Sequence, residues 1–413
     1  MGTQKKQLKI CIIGAGFTGL AAAYYLSKAG HLVEVFEKES QPGGLAIGFQ
    51  DPNWEWPLEQ HYHHWFESDW AIRNLATEIG HSVTFTRPVT STWINGRISQ
   101  LDSPISLLKF SHLSMEARLR TAVGLAGLRF NPFWQPFEYF TAKSYIRAIM
   151  GEASWKDLWE PLFVGKFDKY AGDISAAWLW ARIYKRSPTL GYPEGGFLSF
   201  AKSLELAAIN YGAKFYYHHP VSHINELLPQ FDKVICTLPT PLFEKISGLT
   251  YPKLEGIGAV NLVLALKHQF LTDGSYWLNI NDRKMPFLAV VEHTNFIEPK
   301  HYGGEHLLYV GNYLPSNHEF FRLSENDLVQ KFLPYLKMIS PKFTQSWIRK
   351  SWAFKAPFAQ PIITKNYSQL IPPLSTSISN LYLANIQQVY PWDRGTNYAV
   401  ELGRQVADLC LKK

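Results

Sequence analysis

The chain has 413 residues, 46% hydrophobic and 18% charged, with a net charge of +7. That composition excludes a disordered chain, is too long for one ordinary core, and favours anionic partners, while the lack of a run of five or six Lys/Arg excludes a dedicated nucleic-acid tail. Cys11, Cys236 and Cys410 are too few and too far apart for a disulfide framework or a C-x-x-C metal site, so a reducing, cytoplasmic setting is expected.

The basic N-terminus runs straight into an apolar strand, without the features of a secretory signal, and Lys6 stands where a myristoylation signal has Ser or Thr. No stretch approaches ~18 uninterrupted apolar residues, so no bilayer-spanning segment is expected. Residues 8–13, LKICII, read as a strand buried in a parallel sheet. Gly14-Ala15-Gly16-Phe17-Thr18-Gly19 follows, then a helix-forming run closed by Gly30 and a second strand, HLVEVFEK. Gly14 permits a tight turn, Gly16 lets a pyrophosphate reach the backbone, and Gly19 allows close helix–strand packing. The helix N-terminus faces the phosphates, and Glu37 is placed to accept hydrogen bonds from a ribose. Glycines at this spacing also occur as plain turn residues, but here strand, helix, second strand and terminal acid fall in register. A dinucleotide is expected, and NAD and FAD both fit to this point.

Beyond Glu37 and Lys38 comes a second glycine pair, in Gln41-Pro42-Gly43-Gly44-Leu45. This arrangement resembles the flavoprotein superfamily of amine oxidases, protoporphyrinogen oxidases, carotenoid desaturases and UDP-galactopyranose mutases. By that resemblance Gly43 and Gly44 bring backbone against FAD, with Lys38 and Leu45 in the same lining; Leu45 stands where many relatives carry Arg.

Residues 104–186 show helical spacing of apolar positions, broken at Asn131-Pro132 and Gln135-Pro136. Within them, the stretch around Lys109, Arg118, Arg120 and Arg129 mixes cations with Leu, Phe and Trp. It reads either as a cap packed on its neighbour or as a basic amphipathic segment in a bilayer interface. Residues 191–224, from GYPEGG to VSHI, resemble the superfamily's Gly-Gly turn, helix, strand and turn into a further strand, whose backbone at Val221 would bind adenine. Strand-like runs cover 257–270, 286–294 and 306–314, with a helix near 325–338. LYLAN (381–385) reads as a strand leading through a glycine-containing loop into a helix. The resemblance puts Gly395, Thr396 and Asn397 at that junction and Ala399 in the first turn, with the helix N-terminus at the flavin pyrimidine. Tyr390 and Trp392 are candidate walls beside the isoalloxazine, and Asp393 and Arg394 read as phosphate contacts or as a mutual pair. No Cys precedes Gly395 to carry flavin covalently, so FAD is expected to be non-covalent. The expected fold class is α/β. A Rossmann-like FAD-binding domain is assembled from three separated stretches, 1–60, 191–240 and 375–413. A mixed-sheet and helical substrate domain comes from 61–190 and 241–374.

His61, His63 and His64 follow Leu58-Glu59-Gln60, where relatives place an acid-x-Gly against the isoalloxazine; His61 takes the glycine's place. They read as a metal site with Glu59, as an aromatic cluster with Trp54, Trp56 and Trp65, or as the flavin's substrate face. In the last reading one imidazole donates a hydrogen bond or exchanges a proton near neutral pH. No Cys or H-E-x-x-H helix supports a metal, so none is expected. Arg182 or Arg186 would suit an anionic substrate group, with Trp178 and Trp180 as cavity lining or core. Lys355 is the candidate for the lysine that many amine oxidases place beside the flavin. The expected function is an FAD-dependent oxidoreductase removing a hydride from a C–N or C–C bond of a bulky small molecule, anionic or hydrophobic. The alternatives are a redox-neutral mutase like UDP-galactopyranose mutase, although the loop lacks the mutases' Gly-Gly-His, and a non-catalytic binding protein on the same fold. Peripheral contact with a membrane stays open.

Overall fold

The computed structural model describes residues 6–412; the chain's first five residues, part of its basic start, lie outside them. Five parallel strands form one sheet in the order Lys214–Tyr216, Leu32–Phe36, Lys9–Ile13, Lys233–Cys236 and Leu381–Leu383. The strand that opens the chain is central and apolar on both faces. Ile10 and Ile12 join a core with Leu20 and Leu26 of helix Phe17–Lys28, while Cys11 and Ile13 join another with Phe243 of helix Thr240–Ser247. Small residues let helix Thr396–Leu411 lie close on helix Phe17–Lys28: a Cβ on Gly403 would meet Thr18 O at 2.4 Å and Ala21 Cβ at 2.9 Å. The further strand expected after Lys214–Tyr216 does not form. His218 takes φ +54° and Pro220 has no N–H for a ladder, so Val221 lies in irregular backbone.

A second, seven-stranded sheet runs in the order Ile348–Pro361, Gly256–Leu266, His306–Leu314, Ala289–Glu292, Ser275–Ile280, Val89–Ile94 and Arg97–Gln100. Neighbours are antiparallel except Ser275–Ile280 and Val89–Ile94. Three of the strands match the apolar runs of the sequence, and helix Glu325–Ile339 matches its periodicity. The run 104–186 is helical in pieces, among them Pro104–Lys109, Met115–Phe130, Glu160–Phe167 and Ala176–Tyr184. Ser103, Ser114 and Ser175 side chains cap three of them, and Asn131, extended ahead of Pro132, ends the longest.

Candidate active site

The loops at the C-terminal ends of the parallel strands form a cradle of backbone. Gly14 takes φ +102°, and a Cβ on Gly19 would lie 1.9 Å from Gly14 O, so helix Phe17–Lys28 seats directly on its own loop. Gly44, at φ +60°, lies against the first loop: its Cβ would stand 2.9 Å from Gly16 Cα. Gly43 donates its N–H to Ala15 O at 3.0 Å. The two glycine loops are therefore one continuous surface. Helices Phe17–Lys28 and Thr396–Leu411 start at Gly16 and Gly395 with no side chain capping either N-terminus, which leaves N–H groups for an anion. Glu37 is buried just past its strand, with Oε2 accepting from Ala15 N–H at 2.7 Å and Oε1 from Glu39 N–H at 2.9 Å. Those bonds fix the carboxylate and leave lone pairs for ribose hydroxyls. These features fit a dinucleotide flavin.

The other residues expected at the cofactor are placed as follows. Lys38 pairs with Glu39 at the surface at 3.0 Å, and Leu45 is exposed. Val221 packs on the core around Ile13 and Leu381. Thr396 and Ala399 are half-buried in the first helical turn, and Asn397 Oδ1 accepts from Ile72 N–H at 3.1 Å. Trp392 stacks on Tyr398, 5.8 Å away and 6° from parallel, and lies 5.3 Å from Trp180. Tyr390 packs on Trp134 and Tyr367 at 5.1 and 5.4 Å.

Glu59 anchors the histidine loop. Its carboxylate accepts from Phe197 N–H at 2.8 Å and from Tyr192 OH at 2.9 Å, and its carbonyl from Tyr309 OH at 2.6 Å. The acid is thus spent on the N-terminus of helix Gly196–Asn210. Burial pushes its carboxyl up to about 7, against the pull of those hydrogen bonds. His61 Nδ1 accepts from Asn261 Nδ2 at 2.9 Å, His63 Nδ1 donates to His61 O, and His64 Nδ1 meets Tyr276 OH at 3.2 Å. These partners put the His61 proton on Nε2 and leave His63 Nε2 as an acceptor. Burial, reinforced by Arg394 for His61 and His63 and by Arg186 for His64, holds the three rings at about 3, 4 and 3. They are neutral at pH 7. Desolvation disfavours the imidazolium, which favours the hydrogen-bonding role expected of these rings over proton exchange near neutral pH. Among the described residues no group of three or more His, Cys, Asp or Glu is arranged to hold a metal ion. Trp54 and Trp65 are core residues, and Trp56 stacks on His301 at 3.8 Å.

Facing these rings is a cluster that sequence reasoning found only in part. Lys166 Nζ lies 5.1 Å from the ring centres of both Trp178 and Tyr313; the Arg182 guanidinium lies 4.9 Å from Trp178 and that of Arg394 5.4 Å from Tyr313. Arg182 forms an ion pair with Asp393, and Arg394 donates to Tyr313 OH. Burial alone would raise the Asp393 carboxyl, but Arg182, Lys166 and Arg394 hold it below its usual range. Among the described residues Lys166 forms no direct hydrogen bond or ion pair and feels Asp393 only through space, and Arg186 forms no ion pair. Burial, then Arg182, depresses Lys166 well below its ordinary value and Arg186 to about 10. Their side chains nevertheless keep accessible surface, Arg186 most of all. Four cations and one carboxylate meet there. Lys355, by contrast, is exposed on strand Ile348–Pro361 and donates to Leu323 O at 2.7 Å, and the structure does not bring it to the cluster. Lys166 and Tyr313 carry no motif, and only the helical register of Glu160–Phe167 could have hinted at Lys166.

Comparison with known proteins agrees with this geometry. A family model described as flavin containing amine oxidoreductase matches residues 17–411. A 15-cis-phytoene desaturase of Arabidopsis thaliana is 32% identical over 108 residues, 24% of this chain, and the match spans 18% of that relative's length. The fold is similar to that of a provisionally assigned protoporphyrinogen oxidase from Exiguobacterium sp. 255-15, with a TM-score of 0.74 and 16% identity over 99% of this chain and 100% of that one. It is also similar to reduced UDP-galactopyranose mutase, with a TM-score of 0.76 and 16% identity over 97% of this chain and 95% of that one.

Proposed function

Because the chain belongs to the flavin-containing amine oxidoreductase family, we propose that it holds FAD without a covalent link and removes a hydride from a C–N or C–C bond of a bulky anionic substrate. The observation that carries the substrate's charge is the excess of cations beside the histidine loop, where Lys166, Arg182, Arg186 and Arg394 meet Asp393 alone. Gly14, Gly16, Gly43 and Gly44 would hold the pyrophosphate, Glu37 the adenosine ribose and the Val221 backbone the adenine. The open N-terminus of helix Thr396–Leu411 would meet the flavin pyrimidine. Bound there, the flavin supplies the two-electron acceptor. Cys11, Cys236 and Cys410 are all buried with their thiols pushed up, Cys236 and Cys410 to about 12, so none suits a covalent link.

The chain's own residues divide the remaining work. Lys166 and Arg186 draw in and orient the anionic group, and the Arg182–Asp393 pair stiffens the wall behind it. The Trp178 and Tyr313 rings exclude water. Neutral His61 donates and neutral His63 accepts, so a polar substrate group is gripped without a further charge being introduced.

The test is aerobic peroxide release by the flavin-loaded protein across carboxylated and phosphorylated amines and their uncharged analogues. Turnover confined to the anionic compounds is expected. Arg186→Met should raise KM by about 10- to 100-fold, the loss of a charged hydrogen bond, with a smaller change in kcat and an unchanged flavin content. Equal turnover of charged and uncharged compounds would sink the reading. A second reading rests on the same excess of cations, which suits a nucleoside diphosphate as well as a carboxylate. If only dithionite-reduced protein is active, and it isomerises a UDP-sugar, the redox-neutral mutase replaces the oxidoreductase.

A further inference from the structure

Helix Met115–Phe130 is built inside out. Its buried positions are Ala117, Thr121, Gly124 and Leu128, three of them small, whereas Met115, Leu119, Val123 and Phe130 are between 52% and 81% exposed. At about 100° per residue those four fall within roughly 80° of arc, opposite the small-residue stripe. The inward stripe has its own reason: a Cβ on Gly124 would lie 2.6 Å from Met150 Cγ, so only a small residue seats the helix there. The outward stripe has no counterpart in the fold. It continues past the helix in Phe133 and Phe140, both exposed. Of the nineteen exposed large hydrophobic residues among those described, ten lie between residues 105 and 149. A concentration of that kind marks an interaction surface and not scattered surface chemistry.

Charge identifies the occupant. Residues 104–150 carry six cations, Lys109, Arg118, Arg120, Arg129, Lys143 and Arg147, against Glu116 and the buried Glu138. On the helix itself Arg118 and Arg129 flank the apolar stripe on one side and Arg120 on the other. Arg118 is held by the Leu108 and Leu113 carbonyls at 2.8 Å each, and Arg120 by the Ala148 and Ile149 carbonyls at 3.2 and 3.3 Å. The cations are thus fixed along the edges of the stripe. A second copy of the chain would bring the same positive excess to the contact, which disfavours an isologous dimer. An apolar stripe edged by cations and followed by exposed aromatic rings is the pattern of a helix lying in a lipid interface. We propose that this face docks on an anionic bilayer, with Met115, Leu119, Val123 and Phe130 entering the acyl boundary and Arg118 and Arg120 meeting lipid phosphates. Among the described residues no helix is long and apolar enough to cross a membrane, so the contact is confined to one leaflet.

Co-sedimentation of the full chain with vesicles tests this. Binding is expected to phosphatidylcholine mixed with phosphatidylglycerol, falling at least tenfold on phosphatidylcholine alone. The triple variant Leu119→Ser, Val123→Ser, Phe130→Ser should lose at least tenfold in binding while keeping the parent's far-ultraviolet spectrum, flavin content and Tm, since the changed side chains face outward. Leu206→Ser, an equally exposed leucine on helix Gly196–Asn210, should bind like the parent. Failure to bind mixed vesicles, or undiminished binding by a folded triple variant, overturns the proposal. So does a dimer, seen by light scattering, that the triple variant dissolves while no vesicles are bound; that result assigns the face to a second copy.

Discussion

Around Gly14 to Gly44 the surface offered to a ligand is main chain; around Lys166 to Arg394 it is side chains delivered by four separate segments. The first is closed by contacts between backbones, Gly19 on Gly14 and Gly44 on Gly16, and tolerates no added carbon at positions 19 and 44. The second is closed by rings and ion pairs, and its charges can be changed one at a time without moving the chain. The contrast teaches that, on the proposed function, cofactor retention would depend on shape and substrate choice on charge.

The comparison is broken most severely by Gly19→Ala. Its Cβ would overlap Gly14 O at 1.9 Å, and backbone cannot give way, so a stability loss of about 3 kcal/mol and loss of flavin are expected from thermal denaturation and visible absorbance. Gly16→Ala sharpens it. The nearest atom to that Cβ is 3.6 Å away, so the apoprotein should be as stable as its parent within about 0.5 kcal/mol while flavin binding is lost. Flavin retained by Gly16→Ala would mean that the cradle is not read through bare backbone.

Titration comes next in size. The Glu59 carboxyl rises from 4.5 in the unfolded chain to about 7 when folded, so its contribution is fullest below pH 4.5 and is lost as pH rises through about 7, to the extent of about 3 kcal/mol. Glu59→Gln should flatten that limb in urea titrations at pH 5 and pH 8. The imidazoles of His61, His63 and His64 act in the opposite sense. Their stability is present above pH 6.5 and lost as pH falls toward about 4 and 3.

Lys166→Met removes a buried amine whose charge is opposed by burial and by Arg182 more than it is favoured by Asp393, and should stabilise the fold by about 1 kcal/mol while raising KM for the anionic substrate. Stability and KM that both worsen would show that the lysine has a structural partner. Lys355→Ala should be the mildest, with less than about a twofold change in turnover, because its exposed ammonium reaches only the Leu323 carbonyl.

The sequence disclosed the parallel strands and glycine loops because each needs a particular residue type at a fixed separation along the chain. Val89–Ile94 and Arg97–Gln100 gave no such signal, since their place in the seven-stranded sheet depends on pairing with Ser275–Ile280, far along the chain. Arg182 and Arg186 were legible as cations on a Trp-rich segment, but Lys166 and the Asp393 pairing were not, because only tertiary packing brings Glu160–Phe167 against the loop before Gly395. The strand expected around Val221 by resemblance yielded to the left-handed His218 and to Pro220, which a local reading of alternating apolar residues does not register. The histidines announced themselves by composition, yet their charge state depends on burial, which no local spacing reveals.

The contact between Gly16 and Gly44 has a consequence for how such a chain changes over generations. A side chain gained at position 44 collides with the backbone at 16, and no substitution at 16 can make room, since glycine already has nothing to remove. Neither position can compensate for the other. Drift is therefore blocked at position 44 for as long as the backbone at 16 keeps its course, and the second glycine signature is constrained by the first.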